Sequence, residues 1–241
     1  ACQELGRLEE AIACYRQACA IQPRYHEALA NMGVALHKRG RLDEAFTLLS
    51  QALELRPDHP ESLINMGVLL QKQGDIEGAI THYRRALQVQ PDHPETLSTL
   101  GNACQDLKRL DEAVLHYEQA LRLKPDYPEA WSNLGNARWL QGHLALALVC
   151  YHKALSLKPD YSAAHSNLGV ALMELGRFDE ALASFQASRR HQPDFADAWF
   201  NRGLVWKATG DPERAMADFS RVIALNPRFA DAYAQRGLAL L

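Results

Sequence analysis

The sequence predicts an all-α solenoid, built from helical hairpins that recur every 34 residues. Two columns of residues carry that prediction. The triplet Asn133-Leu134-Gly135 returns in register as Asn31-Met32-Gly33, Asn65-Met66-Gly67, Thr99-Leu100-Gly101, Asn167-Leu168-Gly169, Asn201-Arg202-Gly203 and Gln235-Arg236-Gly237. Proline returns with the same period at Pro23, Pro57, Pro91, Pro125, Pro159, Pro193 and Pro227. Self-similarity at a fixed period of this size marks a repeat array.

Each interval between prolines holds two helical patterns. In the unit that starts at Pro60, the first helix is expected over about 60–72, and Gln73-Gly74-Asp75 breaks it. Glycine accepts the left-handed conformation that ends a helix. The second helix is expected over about 76–90 and stops before Pro91, because proline disfavours helix in the residue preceding it. In Asp58-His59-Pro60-Glu61, Asp58 is the expected cap, proline suits the first turn and glutamate favours the positive helix end. Leu63, Met66, Gly67 and Leu70 form one apolar stripe on the first helix. Ala79, Tyr83 and Ala86 form the stripe on the second, with equivalents in every other unit. Small residues let the helices approach, and one large side chain per unit fills the gap. A lone hairpin cannot bury such stripes, so neighbours must stack.

Composition narrows the function classes. Of 241 residues, 47% are apolar and 23% charged, and the net charge is −3. That charge gives no general attraction to nucleic acid or an anionic membrane. No apolar run is long enough to span a bilayer. No signal peptide opens the chain, since Ala1 falls inside a helical pattern. The expectation is a cytoplasmic protein. Its five cysteines, Cys2, Cys14, Cys19, Cys104 and Cys150, are odd in number and read as reduced helix-packing residues.

The pattern W-x2-L-G-x2-Y, then A-x3-F, then P, resembles that of tetratricopeptide repeats. Trp131-x2-Leu134-Gly135 and the Ala-x3-Tyr/Phe pairs carry the resemblance, which covers essentially the whole chain. It implies a right-handed α-solenoid, a superhelix, forming a single array over 1–241. Units 26–59, 60–93, 94–127, 128–161, 162–195 and 196–229 are complete; 1–25 is a partial repeat and 230–241 the first helix of another. Arrays need polar end caps. The cut units therefore lead to the expectation of a fragment whose uncovered ends, with Leu238 and Leu241, pack on other segments or self-associate.

Departures from the pattern are specific. Lys108 stands where other units carry the turn glycine, so that turn is expected to be strained. Arg138 sits at a place usually held by a large apolar residue. Arg202 and Arg236 occupy a usually apolar place, so their stems are expected to snorkel. Ala145-Leu146 replaces the Asp-Glu of other units and leaves 144–149 unusually apolar.

The asparagine column is the candidate binding element. Asparagine inside a helix costs about 0.6 kcal/mol relative to alanine. Five, at Asn31, Asn65, Asn133, Asn167 and Asn201, cost on the order of 3 kcal/mol, a large share of a stability margin. Thr99 and Gln235 share their register. The amides either bond neighbouring helices or form a ladder that pairs with a peptide main chain. Glu27, Glu61, Glu95, Glu129, Asp197 and Asp231 lie four residues earlier; they serve the helix N-termini or favour a basic ligand. Val34, Val68, Asn102, Asn136, Val170 and Leu204 lie three later, and His37, Gln71, Gln105, Trp139, Met173 and Lys207 six later. The resemblance implies that this first-helix face lines a concave groove for extended peptides. Trp139, Met173 and Phe200 are the expected apolar anchors, with Trp139 and Phe200 exposed on the wall; the alternative is that Trp139 packs within its own repeat. The lysines and arginines of the family's chaperone-tail clamp are absent from this face. The ladder is similar to the superhelical arm of O-linked N-acetylglucosamine transferase, although no transferase domain is present.

No motif of catalysis or nucleotide binding is found. His59 and His93, like His82 and His116, are one period apart; helix axes about 8–10 Å apart hold such pairs too far from each other to share a metal. The expectation is a non-catalytic module that needs no cofactor or metal and binds an extended peptide or partner protein. The alternatives are the substrate-recruiting arm of a larger enzyme, such as a glycosyltransferase, and an assembly scaffold acting through its ends.

Overall fold

The computed structural model describes residues 2–240, with side chains from Gly6 onward. The expectations for Ala1 and Leu241, and for the Cys2 side chain, lie outside the described residues. Every regular element described is helical. A long α1 (Cys2–Ile21) is followed by hairpins α2 (His26–Lys38) with α3 (Leu42–Leu55), α4 (Pro60–Gln73) with α5 (Ile76–Val89) and α6 (Pro94–Asp106) with α7 (Leu110–Leu123). Next come α8 (Pro128–Leu140) with α9 (Leu144–Leu157), α10 (Ser162–Glu174) with α11 (Phe178–His191) and α12 (Ala196–Ala208) with α13 (Pro212–Leu225). The last helix is α14 (Ala230–Leu238). Each hairpin falls inside one expected repeat. The chain divides into two compact units, 1–123 with α1–α7 and 124–241 with α8–α14. Within each, every hairpin packs on the next.

The core of each hairpin is one close approach. In the first unit the glycine of α4 or α6 faces the ring of Tyr83 or Tyr117; in the second, Gly135, Gly169 and Gly203 face Tyr151, Phe185 and Phe219. A Cβ on Gly135 would lie 2.5 Å from Tyr151 Cε1, a separation that real side chains do not adopt. All five rings are fully buried. The α2/α3 hairpin does the same with Gly33 and Leu49.

Turns follow the glycines. Gly40, Gly74, Gly142, Gly176 and Gly210 all have φ between +71° and +91°. Lys108 takes their place at φ +60°, the one non-glycine residue with positive φ among those described. The expected strain is present. Capping differs from expectation. Proline at the first helical position makes the residue before it the cap, so His59 rather than Asp58 caps α4. His93 caps α6 and accepts a hydrogen bond from Thr96 N–H. Aspartate caps the second helix of two hairpins: Asp75 accepts from Gly78 N–H, and Asp211 from Arg214 N–H. Among the described cysteines none is paired; Cys104 and Cys150 are buried, whereas Cys14 is exposed and does not pack as expected.

Two stability tests follow. Left-handed backbone costs a residue with a Cβ about 1–2 kcal/mol, so Lys108→Gly should raise stability by about 1 kcal/mol in a thermal melt. Gly135→Ala should lower it by about 1–3 kcal/mol, the cost of overpacking a core.

Candidate functional site

In the first unit, Asn31 on α2 is exposed and Asn65 on α4 half-buried. Neither makes a side-chain hydrogen bond among the described residues. Thr99 on α6 turns back on its own helix, donating to Glu95 O at 2.9 Å. One turn along, Asn102 Oδ1 accepts from the buried Tyr117 hydroxyl at 2.7 Å. Tyr83 has Val68 in the corresponding place and donates instead to Gln71 Oε1 at 3.2 Å. Gln71 Nε2 then donates to Asp106 Oδ2 of the next hairpin at 2.8 Å. This polar strip is partly cross-linked within the unit.

In the second unit, Asn133, Asn167 and Asn201 are all half-buried. Asn133 is engaged within the chain, whereas Asn167 and Asn201 make no side-chain hydrogen bond among the described residues. Asn136 Oδ1 accepts from the Tyr151 hydroxyl at 2.8 Å. Where the ring is Phe185 or Phe219, the facing residue is Val170 or Leu204, and neither needs a polar partner. This pairing of ring and neighbour stands in the sequence, but only the structure gives it meaning.

The apolar anchors differ from expectation. Trp139 and Phe200 are half-buried rather than exposed. Trp139 and Met173 pack against the cluster formed by Ala147, Leu148, Tyr151, Leu168 and Leu172 with Phe185. The indole Nε1 of Trp139 is covered and meets no acceptor. Phe200 lies 5.7 Å from the Phe219 ring and 5.0 Å from the Phe229 ring, centroid to centroid. The acidic column stands in the first turns of its helices, and Glu129 also pairs with Lys158 at 3.1 Å.

Family models described as tetratricopeptide repeat match residues 24–90, 60–126, 128–161 and 167–228, and one described as TPR repeat matches 1–40. The chain is a tetratricopeptide repeat protein. Among curated proteins none matches it. Solved structures do. The Cut9–Hcn1 hetero-tetramer of the APC/C aligns with a TM-score of 0.83 at 18% identity over 98% of this chain and 46% of that one. This chain thus spans less than half of that protein. PilF of Pseudomonas aeruginosa aligns at 0.75 and 20% identity, over 88% and 96%. YrrB, described as a TPR protein with an unusual peptide-binding site, aligns at 0.59 and 25% identity, over 78% and 97%. Likeness at 18–20% identity shows the fold alone.

Other features of this tetratricopeptide protein depart from its own repeat. Arg202 does not snorkel: it clamps Asp218 through two hydrogen bonds of 2.7 and 2.6 Å, and the Asp218 side chain is 3% exposed. Burial pushes the Asp218 carboxyl above its ordinary range, outweighing the pull of Arg202. Cys104, Glu112 and His116 bring three metal-type donors within 4.8 Å of one another. The trio spans both helices of one hairpin, a grouping that the spacing of the histidines does not reveal. Arg84 already holds Glu112 at 2.8 Å, and burial, with Glu112 beside it, pushes the Cys104 thiol up to about 11.

The buried tyrosines set a pH dependence. Burial holds the Tyr83, Tyr117 and Tyr151 phenols well above their ordinary range, which lies at about 10. Because the folded value is the raised one, their contribution is intact below about pH 10 and is lost as pH rises further. Tyr151→Phe should lose about 1 kcal/mol near neutral pH with its bond to Asn136. It should then lose stability less steeply than wild type above about pH 10, as read by urea unfolding.

Proposed function

We propose that the first-helix faces of this protein bind an extended segment of a partner protein, and that the ligand's main chain pairs with the asparagine column. The proposed contacts are Asn31, Asn65, Thr99 and Asn102 in the first unit. In the second they are Asn133, Asn136, Asn167 and Asn201, with Trp139, Met173 and Phe200 selecting apolar side chains. One observation carries this reading. Asn31, Asn65, Asn167 and Asn201 sit mid-helix, where asparagine is unfavourable, and no side chain or backbone group among the described residues holds their amides. An amide offers both a donor and an acceptor, which matches a peptide unit.

The Tyr–Asn bonds support a division of labour. With its carbonyl oxygen held by a hydroxyl, Asn136 keeps its NH2 as a donor for a ligand carbonyl. The peptide-binding site attributed to YrrB, at 25% identity, supports the same class of function. Tetratricopeptide arrays serve as protein-interaction modules, and the reading assigns no reaction to this chain. As a free-standing module or as the recruiting arm of a larger enzyme, the same face would bind. Free cysteines fit a reducing compartment, which favours the cytoplasm.

The test is a peptide library displayed on phage and selected on the wild-type protein, with affinities then measured for Asn65→Ala, Asn167→Ala and Asn201→Ala. Each loss of a hydrogen bond should weaken binding by about 1 kcal/mol, roughly fivefold, while the melting temperature holds or rises because alanine is the better helix former. Unchanged affinity, or a large fall in melting temperature, would overturn the reading.

A further inference from the structure

The hairpin formed by α12 and α13 breaks the pattern of the repeat at one place in space. Arg189 on α11 stands where other units hold Leu53, Leu87, Leu121 and Leu155. Arg202 on α12 stands where they hold Met32, Met66, Leu100, Leu134 and Leu168. Asp218 on α13 replaces Leu48, His82, His116, Cys150 and Ser184. These changes meet at Trp199, whose ring is fixed by Nε1–H donating to Pro193 O at 2.9 Å.

Three guanidinium groups surround that indole. The Arg189 carbon lies 3.3 Å from the ring centroid, Arg202 5.3 Å and Arg221 5.8 Å. The one carboxylate bonded there, Asp218, is fully taken by Arg202. Arg189 and Arg221 have no ion pair among the described residues, and Arg189 Nε is covered without an acceptor. The indole face attracts cations but supplies no counter-charge. A guanidinium stacked on a ring keeps its N–H edge in plane, the geometry that grips a planar oxyanion. Arg189 is half-buried where neighbouring hairpins hold leucine, Arg221 is exposed beside the same ring, and neither has an anion among the described residues.

We propose that the site between α11, α12 and α13 binds an oxyanion, the carboxylate or phosphate of an acidic segment on a partner protein. Arg189 and Arg221 supply the donors, Trp199 holds the Arg189 guanidinium flat, and Asp218 keeps Arg202 out of the exchange. The site lies apart from the asparagine columns, so its failure would leave the peptide reading untouched.

The experiment follows the Trp199 indole N–H resonance, assigned with Trp199→Phe, in the 15N-labelled protein. The probes are inorganic phosphate and two peptides of one sequence, carrying either glutamate or phosphoserine. The expected result is a saturable shift with at least one peptide, its apparent dissociation constant rising tenfold or more in Arg221→Gln and in Arg189→Leu. Arg189→Leu restores the residue of the other repeats and should keep the fold, checked by its melting temperature. The stronger peptide tells carboxylate from phosphate. A resonance that no probe moves, a response to phosphate but to neither peptide, or equal constants in the variants and wild type would overturn the proposal.

Discussion

Everything in this array depends on how closely the two helices of a hairpin approach. The first helix offers a glycine, and the second lays a ring against it. A single Cβ at Gly101 would sit 2.6 Å from Tyr117 Cε1. That contact sets the spacing of the pair, and the spacing decides which side chains of the first helix turn inward. Leu63, Met66 and Leu70 line the packed side of α4, leaving Asn65 half-buried on the side away from its partner. The polar column is thus a consequence of the glycine beside it.

The ring also sets chemistry beyond the core. A tyrosine brings a hydroxyl to the far side of the first helix, where it must find an acceptor. Tyr117 and Tyr151 find Asn102 and Asn136. Phenylalanine makes no such demand, and Val170 and Leu204 follow. Core and surface are therefore coupled within each hairpin, so a ring substitution alters the polarity of the first-helix face. Arg202 and Asp218 show the same coupling in stronger form. A cation placed where leucine belongs is tolerable because a buried carboxylate holds it.

Much of this was legible in the sequence because proline and glycine act locally. Pro60 and Gly74 bound α4 within a residue of where the pattern put them, and Lys108 betrayed its strained turn by standing in a glycine column. The caps were less legible, since whether Asp58 or His59 takes the position depends on where the first turn closes. Of the two places open to Trp139, geometry selects the packed one. Six residues beyond the asparagine is about 120° around the helix, far enough to meet the core of the following hairpin. Partners distant in sequence, such as Arg84 with Glu112 or Arg189 with Trp199, left no local signal. Whether an asparagine amide is held or unheld is likewise a property of its neighbours in space, as Asn133 and Asn167 show from the same column.

The proposed partner of those unheld amides is another molecule's main chain. The most direct measurement is the side-chain NH2 resonances of Asn31, Asn65, Asn167 and Asn201 during titration with a library-selected peptide. They should shift together and saturably with occupancy. Resonances that stay in place while the peptide binds, with the shifts confined to the second helices of the hairpins, would contradict that pairing.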